Sequence, residues 1–144
     1  MILLAIIFEK LLLKFLIKMQ ETIVVSVKVA EIRPEYNNLK EWCQDQNNVY
    51  IARGGIVFIK DEQGNNKRYP PKDSIWANPF KVEKYPNENC VDLYREYITA
   101  KLNNGEISRE ELEKLRGKRL GCWCKKKNVE VPCHGDVILE LLNQ

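Results

Sequence analysis

LGCWCKKKNVEVPCHGDVILELL, residues Leu120 to Leu142, holds three of the five cysteines in the chain and its only histidine. Leu120, Cys122 and Cys124 alternate with Gly121 and Trp123, so an extended backbone places both cysteines on one face. After Pro132 comes Cys133-His134-Gly135-Asp136, and Val137, Ile138, Leu141 and Leu142 then repeat at amphipathic helical spacing. Cys133 and His134 therefore fall at a helix start, where unpaired N–H groups and the positive end of the dipole favour a thiolate. A strand over Arg119 to Cys124 followed by this helix resembles the wound part of an α/β sheet. In such sheets ligands bind beyond the carboxyl ends of the strands, where Cys124 lies.

Upstream, Ser108 with Glu111 forms a capping box for a short helix that closes at Gly117. Val91, Tyr94, Ile98 and Leu102 mark a helix from Glu88 to Leu102, stopped by Asn103, Asn104 and Gly105. Before it, SIWANPF (Ser74 to Phe80) is an apolar loop in which Pro79 forces Asn78 toward extended geometry. Val49 to Ala52, Ile56 to Lys60 and Lys67 to Tyr69 alternate with turns at Arg53-Gly54-Gly55 and Gly64 to Asn66, so the region from 49 to 69 is expected to form hairpins. Leu39 to Cys43 suits a short helix, and the β-branched run Thr22 to Val29 suits a strand that opens the domain. The order predicts an α/β or α+β fold: a small single domain, residues 19–144, with a mixed sheet, flanking helices and a C-terminal helix-strand-helix unit.

Residues 1–18, MILLAIIFEKLLLKFLIK, form an apolar extension expected to lie outside that domain. Glu9, Lys10, Lys14 and Lys18 interrupt it too often for a transmembrane segment, and it lacks the features of a secretory signal. Three lysines four apart draw a polar stripe, which fits an interfacial or oligomer-forming helix as well as an inert extension. The sequence does not fix an oligomeric state. An odd cysteine count without a signal peptide indicates free thiols in a reducing, cytoplasmic setting. The net charge of +3 is modest, but Lys114, Arg116, Lys118, Arg119, Lys125, Lys126 and Lys127 follow one another without a carboxylate among them. That run brackets Cys122 and Cys124 and would draw a nucleotide or nucleic acid toward them, or else is only a solvated turn.

Three readings of the cluster stay open. In the first, Cys133 or Cys124 is a catalytic nucleophile, His134 moves its proton and Asp136 orients the imidazole, giving an enzyme on a nucleotide or nucleic-acid-derived substrate. In the second, Cys122, Cys124, Cys133 and His134 hold zinc in a non-catalytic nucleic-acid-binding module, although C-x-C with C-H is not the usual zinc-knuckle spacing. In the third, the cysteines are small buried hydrophobes and Trp123 belongs to the core. Arg53, Asn78 and Lys125 are the candidate substrate contacts.

Three blocks, NVYIARGG (Asn48 to Gly55), SIWANPF, and LRGKRLGCWC with PCHGDVILELL, resemble the family known as domain of unknown function 4326, found in phages, bacteria and large DNA viruses. The likeness covers about residues 20 to 143, with Ala52 standing where the pattern commonly has glycine. A weaker likeness, in the strand cysteine followed by Cys-His at a helix start, is to the domain of unknown function 488 family. Both imply an α/β fold rather than an activity. They place an active or binding site at the end of the chain, with Arg53 and Asn78 approaching it.

Overall fold

Strand β5 (Arg119–Cys122) lies between β1 (Ile23–Ser26) and β2 (Asn48–Tyr50), parallel to both. Leu120 sits opposite Val24 and Val49, and Gly121 opposite Val25 and Tyr50. The computed structural model describes residues 1–19, 21–126 and 129–144. Lys127 of the basic run lies outside them.

Side-chain alternation along β5 explains the two cores. Leu120 and Cys122 face a cluster formed with Tyr94, Ile98, Leu112, Leu115, Val137 and Ile138, contributed by α4 (Cys90–Asn103), α5 (Arg109–Glu113), α6 (His134–Leu142) and the turn after α5. Gly121 faces the other way, toward Val27 and the Trp42 ring, where a side chain at 121 would collide. Val27, Ile32, Leu39 and Trp42 make that second cluster with α2 (Val29–Ile32) and α3 (Leu39–Gln44). Helices thus cover both faces of a parallel sheet, as burial of both faces requires.

The Ser108 capping box is realised, and the structure adds a cap at Asn89. Ser108 accepts from Glu111 N–H while Glu111 accepts from Ser108 N–H, and Asn89 caps α4. Arg95 on α4 forks onto Glu140 of α6, at 3.1 Å through both Nε and Nη2, which fixes the spacing of the two helices.

Two expectations are corrected. The segment after residue 48 is not a strand of a hairpin series: β2 ends at Tyr50 and pairs in parallel with β5, because Val49 and Ile51 bury on the central sheet. Only β3 (Val57–Lys60) and β4 (Asn66–Tyr69) form a hairpin, turned at Gly64 with φ of +82°. Parallel and antiparallel pairing therefore occur in separate sheets. The first strand is also shorter than Thr22 to Val29, since Val29 already opens α2.

The N-terminal stretch forms α1 (Ile2–Met19), along which Leu3, Phe8, Leu13 and Phe15 are all exposed. Among the described residues no helix is long and apolar enough to cross a membrane.

Candidate metal centre and cleft

Cys122 ends the central strand, Cys124 follows two residues beyond it, Cys133 is the N-cap of α6 and His134 is the first helical residue. Their ligand atoms lie within 4.8 Å of one another. His134 Nδ1 stands 3.7 Å from Cys122 Sγ, 3.9 Å from Cys124 Sγ and 3.8 Å from Cys133 Sγ. Zinc–ligand bonds of ordinary length make tetrahedral sulfur–nitrogen edges of about 3.6 Å and sulfur–sulfur edges of about 3.8 Å. The three sulfur–nitrogen distances match. The Cys133 Sγ to Cys122 Sγ separation, 3.1 Å, is shorter, as a direct thiol-to-sulfur hydrogen bond makes it.

The other ring nitrogen settles which face of the imidazole is offered. Nε2 lies 2.7 Å from the Ile51 carbonyl oxygen, which can only accept, so Nε2 carries a proton and Nδ1 is the ring nitrogen turned toward the three sulfurs. A backbone carbonyl holding the far nitrogen is the usual outer support of a metal-bound histidine. The ring is 5% exposed and meets Tyr94 edge-on, with centroids 5.1 Å apart. The sulfurs have outer support as well: Cys124 N–H donates to Cys122 Sγ and Gly135 N–H to Cys133 Sγ, both at 3.4 Å.

The electrostatics of the metal-free cluster point the same way. Hydrogen bonding from Cys124 and then Cys133 holds the Cys122 thiol well below its ordinary range. The bond to Cys122 pushes Cys133 above it. Burial works against a charged imidazole, but the Cys122 and Cys124 sulfurs outweigh it and carry His134 up to about 10. One thiolate balanced by one imidazolium is what this nest sustains alone. Three thiolates beside a neutral imidazole require a bound cation.

The family model described as domain of unknown function (DUF4326) matches residues 35–144, which include all four of these residues. The chain belongs to this family. Among curated relatives, it is 36% identical over 73 residues to an uncharacterised 12.4 kDa protein in the nrdA-td intergenic region of Enterobacteria phage T4, a match covering 51% of this chain and 64% of the phage protein. It is 27% identical over 118 residues to uncharacterised protein R718 of Acanthamoeba polyphaga mimivirus, covering 78% and 77% of the two chains. The chain thus spans a little under two thirds of the phage relative's length. No solved structure matches.

The DUF4326 domain sets its cluster at the floor of a cleft of about 470 Å³ at the carboxyl ends of the parallel strands. Lys28 follows β1, Ala52 and Arg53 follow β2, and Trp123 and Cys124 follow β5. Phe80 and Lys81 close the far wall. Among the described residues, the side chains of Lys28, Arg53 and Lys81 have no hydrogen-bonded or ion-paired partner, and the carboxylate lining the cleft is Glu83. The main chain at Arg53 is tied to its neighbours: Trp123 Nε1–H donates to Tyr50 Oη at 2.7 Å, and Tyr50 O–H donates to the Arg53 carbonyl at 2.5 Å. Burial pushes Tyr50 up to about 12, so its hydroxyl keeps the proton it donates.

Other candidates have structural partners. Asp136 accepts from Cys133 N–H at 3.1 Å and pairs with Lys125 at 3.0 Å; the group that orients the imidazole is the Ile51 carbonyl instead. Lys125 is consequently engaged. Asn78 lines the cleft, yet its amide donates to the Cys90 carbonyl and accepts from Phe80 N–H, tying the SIWANPF loop to the start of α4. Gly54 is a close-approach glycine: an added Cβ would lie 2.6 Å from the carbonyl carbon of Lys72. Cys133 lines the cleft but is 1% exposed. Sequence reasoning missed Ile51, which acts through its main chain and leaves no side-chain signal. It also missed Lys28, which the rule that sites gather at strand carboxyl ends would have found.

Proposed function

We propose that this DUF4326 domain holds one zinc ion on Cys122, Cys124, Cys133 and His134, and that the cleft above it binds a phosphate-bearing ligand, a nucleotide or a nucleic-acid segment. The observation that carries the reading is the convergence of three sulfurs on a histidine nitrogen whose partner nitrogen is already occupied. Three thiolates and one imidazole form a closed tetrahedral set for zinc, and such a site contributes folding energy directly. Zinc here staples the exit of β5 to the start of α6, the two segments that form the cleft floor. The unpaired cations of Lys28, Arg53 and Lys81 favour an anion, and Trp123 and Phe80 supply apolar wall for a base.

Metal analysis of purified protein tests the first part, with about one equivalent of zinc expected. Titration of a fluorescent single-stranded oligonucleotide and of a nucleoside triphosphate at rising salt tests the second. Affinity should fall with salt, and Arg53→Ala should reduce the logarithmic slope for the oligonucleotide by about one. Metal-free protein in which all cluster thiols titrate at once would refute the centre; salt-independent binding, or none, would refute the cleft.

An enzymatic role is the second reading, favoured by one observation: Cys124 is the cluster cysteine that is only partly buried, and it lines the cleft.

A further inference from the structure

We propose that Cys124 is the reactive thiolate of the centre, the ligand sulfur that attacks the carbon of an alkyl electrophile entering the cleft. This rests on the zinc reading above and adds a chemistry to it. The three sulfurs share the same ligand set but not the same surroundings. All three line the cleft, but Cys122 is 2% exposed and Cys133 1%, whereas Cys124 is only partly buried.

Their hydrogen bonding differs in the same sense. Cys122 accepts from the N–H of Cys124 and Cys133 accepts from the N–H of Gly135, while among the described residues no backbone N–H donates to Cys124 Sγ. A hydrogen bond to a thiolate withdraws electron density and lowers its nucleophilicity, so a sulfur with fewer donors among the described residues is the stronger nucleophile. A zinc ion held by the cluster would take that sulfur as a thiolate, with no general base needed. Cys122, Cys133 and His134 would remain as three ligands to the ion when the fourth sulfur is modified.

The step balances without any redox partner. A lone pair on Cys124 Sγ forms the S–C bond while the bond from that carbon to its leaving group breaks, and the electron pair departs on the leaving group as an anion. No proton moves. Arg53 and Lys28 line the cleft into which the anion is released. The product is a thioether, a weaker zinc ligand carrying one negative charge fewer than the thiolate it replaces.

Iodoacetamide on the intact purified protein is the probe, with iodide as the leaving anion. Zinc is measured on the same sample and each cysteine is followed by peptide mass mapping. Cys124 should be modified about tenfold or more faster than Cys122 and Cys133, with zinc still bound when its labelling is complete. Zinc-loaded protein in which Cys122 or Cys133 reacts as fast as Cys124, or in which Cys90 is fully labelled and Cys124 untouched, overturns the assignment and leaves the zinc centre standing. Protein that contains no zinc overturns both.

Discussion

The imidazole of His134 donates from Nε2 to the carbonyl oxygen of Ile51 across 2.7 Å, joining two residues 83 positions apart. The bond closes the carboxyl end of the parallel sheet against the first turn of α6 and fixes which ring nitrogen faces the sulfurs. Ile51 is fully buried, so little water competes for its carbonyl.

Zinc and the fold should therefore rise and fall together. Chelation is expected to lower the melting temperature and to loosen α6, measured by circular dichroism and by hydrogen exchange at Val137 and Ile138. Acidification should act like the chelator, because protons compete with the metal for three sulfurs and one nitrogen. Zinc release followed with a chromogenic indicator should increase as pH falls. A melting curve indifferent to chelator would show that the four residues hold no structural metal.

Gly135→Ala should destabilise the protein, although alanine ordinarily improves a helix. The added methyl would meet both γ-carbons of Val24 at 2.8 Å and the δ-carbon of Ile51 at 3.0 Å. Val24 is β-branched and cannot swing aside, so a loss of about 1–3 kcal/mol is expected in urea unfolding. Zinc affinity should weaken with it, since the same displacement lifts Cys133 and His134 away from Cys122.

Tyr94→Phe separates packing from coordination. The hydroxyl is fully buried and donates to the Trp76 carbonyl at 2.8 Å, and its removal leaves that carbonyl without this donor. A loss of about 1–3 kcal/mol is expected by denaturant unfolding. Zinc content should stay unchanged, because the ring that faces His134 remains.

Asp45 should make stability pH-dependent. The Tyr36 hydroxyl donates to its carboxylate at 2.5 Å, Asn47 N–H adds a second bond and Arg119 lies 3.2 Å away, so its carboxyl titrates below the ordinary aspartate value. A depressed folded value stabilises the fold above the unfolded one, near 3.8, and the contribution is lost as pH falls through the folded value. The unfolding free energies of wild type and Asp45→Asn should differ at neutral pH and converge in acid below the ordinary carboxylate range. A gap that persists there would assign the effect to packing.

The C-terminal unit was readable because its signals are local. Alternation through Leu120, Cys122 and Cys124, and the spacing of Val137, Ile138, Leu141 and Leu142, each depend on neighbours in sequence; the helix falls where its pattern puts it, while the strand begins at Arg119 as expected but stops at Cys122, two residues short of Cys124. The partner of β2 was not readable. Three residues long and followed by a glycine pair, it carries the local marks of a hairpin, and only tertiary burial of Val49 and Ile51 reveals that it lies parallel to β5. The role of Asp136 was hidden for a related reason: a carboxylate two residues from a histidine looks like its orienter, but helical geometry turns it back onto Cys133 N–H.

A synthetic peptide covering Leu120 to Leu142 would contain every donor atom of the proposed centre and still lack the Ile51 oxygen. Its imidazole would be free to present either nitrogen, and zinc would choose among several loose geometries. Tight, single-mode coordination is then a property of the assembled parallel sheet, which makes metal uptake a gauge of whether the distant first half of the chain has docked.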